Sequence, residues 1–187
     1  MTSMSFRREG RGRRRTVVAE FDADERDMLR NLFGQVVELI DESAEPTTAV
    51  DGEGAADPLA ALVGIGTATS LPLDPALARL FPNAYNDDSI AAADFRRYTE
   101  LSLRHRKLEH AALAVASLED PGPTTLSPEA VAAWLGALND LRLVLGSRLG
   151  IQEDDDPREW ADDLDAASYY LYHWLTALQG DLLEALD

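Results

Sequence analysis

The chain has 187 residues, which is enough for one domain with a hydrophobic core, and its 45% apolar content excludes wholesale disorder. It contains no cysteine, so these residues form no disulfide, thiol nucleophile or thiolate metal site. The net charge of −17 is unevenly placed, because residues 1–15 hold six arginines and one acid, and the acidic remainder argues against wrapping by nucleic acid.

The first 21 residues read either as a basic arm or as a short β-hairpin. Ser5–Arg8 and Thr16–Phe21 are the extended candidates, and two glycines between them supply a turn. The arginine cluster suits contact with phosphate or with an acidic protein, and a solvated arm is the alternative. The cluster consists of Arg7, Arg8, Arg11, Arg13, Arg14 and Arg15.

Helical spacing predicts a first long helix over Asp22–Ser43. Asp22 and Glu25 form a capping-box-like start. Residues 44–57 predict a solvated linker, and the prolines between residues 58 and 82 permit only short helical turns. The apolar face of the first helix is predicted to comprise Met28, Leu29, Leu32, Phe33, Val36, Leu39 and Ile40.

A second long helix is predicted over Asp88–Leu118. We expect His105 to be a core histidine with a satisfied hydrogen bond, and the other two histidines to point away from their helices' apolar faces. The predicted core face is Tyr98, Leu101, His105, Leu108, Ala112 and Val115. A basic strip on the same helix is a candidate anchor for an acidic partner, with an ordinary solvated face as the alternative. The strip comprises Arg96, Arg97, Arg104 and Lys107, interrupted by Glu100.

Two further helices complete the pattern. Ser127 and the proline after it open a helix over Pro128–Leu149, which Gly150 ends. Its predicted apolar sector comprises Val131, Trp134, Leu135, Leu138, Leu141, Leu145 and Leu149. Arg142 falls inside this sector and therefore needs a carboxylate or carbonyl partner, an edge to reach solvent, or a ligand. The last helix is predicted over roughly Asp163–Leu186. Its core stripe is Leu171, Trp174, Leu175, Leu178 and Leu182, with Tyr169 and Tyr172 on one flank.

These elements predict an all-α, single-domain helical bundle of four main helices, with short helical turns and a small N-terminal β-hairpin as one option. Residues 1–21 form the arm or hairpin, and residues 22–187 form the helical domain. No apolar run approaches a membrane span, which favours a cytoplasmic protein.

Catalytic and metal-binding patterns are missing from the sequence. The three histidines, His105, His110 and His173, lack metal-ligand spacing, and no nucleophile elbow or phosphate loop occurs. We therefore expect no metal, no cofactor and no enzymatic activity. An enzyme with an unfamiliar site around Arg142 and His105 is kept as a minor hypothesis.

Four segments resemble an actinobacterial family long described as a domain of unknown function, whose genes often neighbour that of the ClpS protease adaptor. Members of this family are described as oxidative-stress transcriptional regulators of the AosR type, and the resemblance covers nearly the whole chain, from Phe6 to the C-terminus. The segments are LFPNAYNDD (80–88), DFRRYTELSLRHRK (94–107), NDLRLVLGSRLG (139–150) and YYLYHWLTALQGDLLEAL (169–186). The motif positions are Asn139, Asp140, Arg142, Arg148, Tyr172, Trp174 and Gln179, and the resemblance gives none of them a binding role.

The resemblance implies a helical cytoplasmic protein that adjusts transcription under oxidative stress through a protein partner, either a sigma factor or RNA polymerase. In the family the redox response depends on a cysteine pair, which this chain lacks, so thiol sensing is not expected here. Direct DNA contact and homo-oligomer formation stay open. The alternative hypothesis, based on the gene neighbourhood, is an accessory or adaptor protein of Clp-dependent proteolysis.

Overall fold

The computed structural model describes residues 5–10, 15–43, 69–85, 87–151 and 166–187. The predicted linker 44–57 and the arginines at 11, 13 and 14 lie outside these ranges. Within them the chain forms three strands, β1 (Phe6–Glu9), β2 (Thr16–Ala19) and β3 (Thr124–Leu126). The helices are α1 (Ala23–Glu42), α2 (Pro75–Leu80), α3 (Ser89–Ala116), α4 (Pro128–Arg148) and α5 (Ala166–Glu184).

The strands form one antiparallel sheet in the order β1-β2-β3. Phe6 pairs with Ala19 across the predicted hairpin, which is therefore present, and Val17 pairs with Leu126 on the other side of β2. The expectation of an all-α protein needs correction on this point, although helices dominate. The third strand includes Thr124 and Thr125, which the sequence DPGPTT (120–125) predicts as part of a turn. Its three residues are too short to show an alternating pattern, and they pair with backbone groups that a two-stranded hairpin leaves open.

The predicted caps at Asp22 and Ser127 and the predicted stop at Gly150 are confirmed. The Asp22 carboxylate accepts a hydrogen bond from the Glu25 amide (2.9 Å), and the Glu25 carboxylate accepts one from the Asp22 amide (3.0 Å). Ser127 caps α4 through the Ala130 amide. Gly150 ends α4 with a φ of +67°, a conformation that L-residues with a side chain rarely adopt.

Helix α4 lies at the centre and packs against α1, α2, α3 and α5. Its Trp134 is fully buried and contacts the rings of Phe6, Phe21 and Phe33, with centroid distances of 5.1, 5.4 and 5.5 Å. The indole N–H donates to the Ser117 hydroxyl (2.8 Å), so this large side chain is buried without an unsatisfied donor. This aromatic cluster joins the hairpin to the helical core.

The predicted apolar faces of α1, α4 and α5 point into this core. One exception is Met28, which is 38% exposed at the edge of α1. The residues of these faces that are buried are Leu29, Phe33, Val36, Ile40, Val131, Trp134, Leu138, Leu141, Leu175, Leu178 and Leu182.

Candidate protein-binding surface

The N-terminal half of helix α3 places charged residues inward. Arg96, Glu100 and Arg104 are spaced four residues apart and are 5%, 7% and 9% exposed. The residues predicted as the core face lie outside instead, with Tyr98 at 61% and Leu101 at 43% exposure. His105 and Ala112 of the predicted core face are exposed as well, and Leu108 and Val115 are only half-buried, so that prediction is wrong. The predicted basic strip is likewise not a solvent-exposed surface.

Glu100 accepts hydrogen bonds from both neighbouring guanidinium groups. Arg96 donates through Nη1 to one carboxylate oxygen. Arg104 donates through Nε (3.0 Å) and Nη2 (2.8 Å) to the other oxygen, so two charge-assisted hydrogen bonds converge on one acceptor. The spacing of four places all three side chains on one helix face, so one carboxylate balances part of two buried positive charges.

The remaining guanidinium protons satisfy the ends of neighbouring helices. Arg104 donates to the Ile40 carbonyl (2.9 Å) and to the Ser43 hydroxyl (2.6 Å) at the C-terminus of α1. Arg96 donates to the carbonyl of Phe81, the residue that caps the C-terminus of α2, at 2.9 Å. These carbonyls lack helical partners and carry the negative end of the helix dipole. This is the physical reason why two arginines of the predicted strip are buried.

The network leaves its polar groups paired. Arg96 also donates to the Asn83 side chain (2.9 Å), and the Arg104 guanidinium lies 4.4 Å from the centre of the Phe81 ring. Throughout the described ranges, each buried side-chain nitrogen or oxygen has a hydrogen-bond partner. The inner face of α3 is therefore a self-contained structural network.

Lys107, about one turn further along α3, also directs its charged group toward the interior. Its ammonium donates to the Asp140 carboxylate (2.6 Å), and the two side chains are 12% and 5% exposed. Burial raises the pKa of Asp140, although the bond from Lys107 opposes this rise. Asp140, one of the motif positions, thus ties α4 to α3. Of the four cations in the predicted strip, Arg97 is the exposed one.

Apolar side chains occupy the opposite side of the same helix. We use the name outer face of α3 for Ile90, Phe95, Tyr98 and Leu101 on the helix together with Tyr85 in the loop that precedes it; in chain order from Tyr85 they are 50%, 76%, 46%, 61% and 43% exposed. The Tyr85 and Phe95 rings pack edge to face with centroids 6.0 Å apart. Aromatic and large aliphatic side chains that cluster in solvent are typical of protein-binding surfaces. The α3 arrangement therefore inverts the usual amphipathic pattern, with charges inside and apolar groups outside.

Arg142, the charged residue in the apolar sector of α4, is braced by helix α5. Its Nε donates to the Thr176 hydroxyl (3.1 Å), and Nη1 donates to the Gln179 side-chain oxygen. The guanidinium also lies 5.5 Å from the centre of the Tyr172 ring. The predicted need for a polar partner is met by a hydroxyl and an amide. Three motif positions, Arg142, Tyr172 and Gln179, meet here.

The other motif positions have separate places. Arg148 donates to the Asp74 carboxylate (2.6 Å), which also caps α2 through the Ala76 amide (2.7 Å). Although burial acts in the opposite direction, the hydrogen bonds from Arg148 and from the α2 amides lower the pKa of Asp74. Asn139 is exposed, and Trp174 is half-buried against the core.

The described arginines of the N-terminal cluster have different surroundings in the hairpin. Arg7 pairs with Glu9 (3.2 Å) and with Glu20, which neutralises it. Arg8 and Arg15 are exposed, and Arg15 donates to the carbonyl of Asp187 (3.4 Å). A binding role for the arginine cluster stays a prediction.

The histidine expectations need two corrections. His105 is exposed, so it is not a core histidine. His110 does not point away from its packing partner, because a Cβ added at Gly136 of α4 would lie 2.1 Å from its Nδ1 atom. In the part of the chain that the structure describes, no three histidine or carboxylate side chains are grouped to hold a metal ion. None of the described helices combines the length and apolarity needed to cross a bilayer.

Sequence reasoning missed the inversion of α3, but a signal for it exists. A spacing of arginine, glutamate and arginine at i, i+4 and i+8 permits one carboxylate to pair with both cations. Such a triplet can be buried without an external partner. The triplet is therefore a sequence signal that the charged side of the helix is buried and that Tyr98 and Leu101 face solvent.

The chain is similar to known proteins over most of its length. A family model described as "Domain of unknown function (DUF2017)" matches residues 2–186. Two proteins named "Oxidative stress regulator AosR", from Mycobacterium tuberculosis and Mycobacterium bovis, are each 32% identical over 174 aligned positions, covering 85% of this chain and 77% of theirs. A Mycobacterium leprae relative is 29% identical over 187 positions, covering 92% and 82%. No solved structure matches the chain.

Proposed function

Because this chain belongs to the DUF2017 family and is related to the mycobacterial AosR oxidative stress regulators, we propose that it is a non-enzymatic regulator of the oxidative stress response. It acts by binding a protein through the outer face of α3. The observation that carries this proposal is the inverted helix, whose inner charges are paired within the molecule while its apolar groups meet solvent.

The proposed partner is a component of the cytoplasmic transcription machinery, either a sigma factor or RNA polymerase. Protein is favoured over DNA as the first contact for two reasons. The chain carries a net charge of −17, and three of the four strip cations are buried or half-buried in internal ion pairs. Oxidant dependence, where it occurs, reaches this cysteine-free chain through its partner or its abundance, since the 187 residues cannot form a disulfide.

Affinity capture with a matched pair of surface variants tests this proposal. The tagged wild-type chain is compared with Tyr98→Ser/Leu101→Ser, with RNA polymerase and sigma factors quantified by mass spectrometry with and without mild oxidant. The matched control is Tyr170→Ser/Leu183→Ser, which removes the same two side-chain types from α5, where they are 78% and 51% exposed. Far-ultraviolet circular dichroism checks that all variants stay folded.

We expect the wild type and the α5 control to recover the same transcription component, and the α3 variant to recover about tenfold less. Equal recovery by both variants would place the binding surface elsewhere. Recovery of Clp components in place of transcription proteins would support the alternative role in proteolysis.

A further inference from the structure

A second apolar feature lies between helices α1, α4 and α5. It is an open groove of about 260 Å³, and the side chains that line it become more exposed from its floor to its rim. Val36, Leu141 and Leu175 are buried at its floor. Half-buried side chains form the walls, namely Leu32, Leu39, Val144 and Leu145. Gln35 and Arg148 stand exposed at the rim.

The two rims of the groove differ in charge. On the α4 side, Arg148 is neutralised by its ion pair with Asp74. On the α1 side, Glu38 and Glu42 follow Gln35 by three and seven residues, so they share its edge of the helix, and both are exposed. The groove therefore has an apolar floor and one negatively charged edge.

We propose that this groove docks an amphipathic helix of a protein partner, with apolar side chains in the groove and basic residues along the α1 edge. The apolar lining and the acidic edge favour this occupant, because they complement a helix that has apolar side chains on one side and basic residues beside them. The proposal rests on the protein-binding part of the proposed function and adds a site distinct from the outer face of α3.

The geometry of a docked helix follows from the two rims. Apolar side chains at positions i, i+3 or i+4, and i+7 of the partner helix occupy the groove. One wall of the groove is formed by Leu32 and Leu39 of α1, and the other by Val144 and Leu145 of α4. Lysine or arginine residues beside that stripe then face Glu38 and Glu42. Attraction at this exposed edge depends on salt, because a Debye length of about 10 Å at 0.1 M screens it.

A designed peptide tests the groove with the full chain. The probe is a fluorescent helical peptide of about 18 residues with leucines on one face and lysines on the other. Two comparison peptides are a scrambled sequence of the same composition and an analogue with glutamate in place of lysine. Fluorescence anisotropy gives the affinity of each for the wild-type chain.

Variants on each part of the groove have matched controls. Glu38→Lys/Glu42→Lys reverses the acidic edge, and Glu109→Lys/Glu119→Lys makes the same change in net charge at exposed sites on and after α3. Gln35→Trp fills the mouth of the groove without removing a core side chain. Asn139→Trp is its control, since Asn139 is exposed on the side of α4 opposite the groove residues.

We expect saturable binding of the lysine peptide, with affinity about tenfold lower for the scrambled and glutamate peptides. Edge reversal and Gln35→Trp should each lower the affinity about tenfold, and their controls less than about threefold. Absence of binding, equal binding of scrambled peptide, or equal effects of variants and controls would overturn the proposal. Self-association of the wild type that edge reversal abolishes would assign the groove to a second copy. Capture through the outer face of α3 is measured separately, so failure here leaves the regulatory proposal standing.

Discussion

Glu100 shows how one side chain decides which way a helix faces. Its carboxylate accepts hydrogen bonds from Arg96 and Arg104, and those arginines satisfy carbonyls at the ends of α1 and α2. Arginine and glutamate are charged residues, and from sequence alone charged residues are ordinarily predicted to lie at the surface. Only the three-dimensional arrangement shows that their hydrogen bonds are completed inside the molecule.

Removing the negative charge of Glu100 should destabilise the fold strongly. Glu100→Gln leaves two guanidinium groups buried without a counter-charge, and breaking a buried pair costs about 3–5 kcal/mol. Urea unfolding followed by circular dichroism measures the loss. Glu109→Gln, an exposed change on the same helix, should alter stability by less than about 0.5 kcal/mol. Similar values for the two variants would contradict a structural role for the network.

Lys107→Met should destabilise the protein in a pH-dependent way. Burial already raises the pKa of Asp140, and losing the opposing Lys107 bond raises it further. A carboxyl whose pKa is raised in the folded state holds its proton where the unfolded chain has lost it. Stability therefore falls as the pH rises from the unfolded pKa to the folded one. We expect a deficit of about 3 kcal/mol near pH 7.5 and a smaller one near pH 4.5.

Urea unfolding of wild type and Lys107→Met at both pH values measures this difference. Arg97→Met removes an exposed cation from the same helix and should show a small deficit of similar size at both. A Lys107→Met deficit that does not depend on pH would contradict the assignment of Asp140 as the titrating group.

At the scale of elements, the helix ends were predictable and the helix faces only partly so. The capping box at Asp22, the cap at Ser127 and the stop at Gly150 are short-range signals, which depend on neighbours along the chain. The faces of α1, α4 and α5 followed their apolar stripes. Helix α3 carries an apolar stripe and a charged stripe on different sides, and periodicity alone does not say which one is buried. Strand β3 was missed because its partner β2 lies more than 100 residues away.

The crossing of α3 and α4 makes a further prediction at Gly136. A methyl group there would lie 2.1 Å from Nδ1 and 3.2 Å from Cγ of His110, so the imidazole must move. We expect Gly136→Ala to cost about 1–3 kcal/mol, despite the better helix propensity of alanine. In the His110→Ala background the same change should be neutral or stabilising, because the clash is absent.

Chemical denaturation of the four proteins in this double-mutant cycle measures the coupling. A large cost of Gly136→Ala in both backgrounds would show that another neighbour limits the approach of the two helices.

At the scale of the whole molecule, the outer face of α3 and the groove beside α1 are separate apolar surfaces on one acidic body. The resemblance of four sequence segments indicated the family, which the comparisons then showed. The segments 80–88 and 94–107 supply four of the five residues of the outer face, all except Ile90, so the family signal and the proposed surface largely coincide. The sequence led us to predict a partner contact at the cations of α3. Two of these cations, Arg96 and Arg104, are buried by contacts with α2 and α1, which the sequence does not show.

The measurement that tests the regulatory proposal most directly is transcript profiling of the native host after oxidant challenge. A deletion strain is complemented with the wild-type chain, with Tyr98→Ser/Leu101→Ser, or with the Tyr170→Ser/Leu183→Ser control, at equal protein levels. We expect the deletion to alter the oxidant response, the wild type and the control to restore it, and the α3 variant to leave it altered. An oxidant response unchanged by the deletion, or fully restored by the α3 variant, would contradict the proposal.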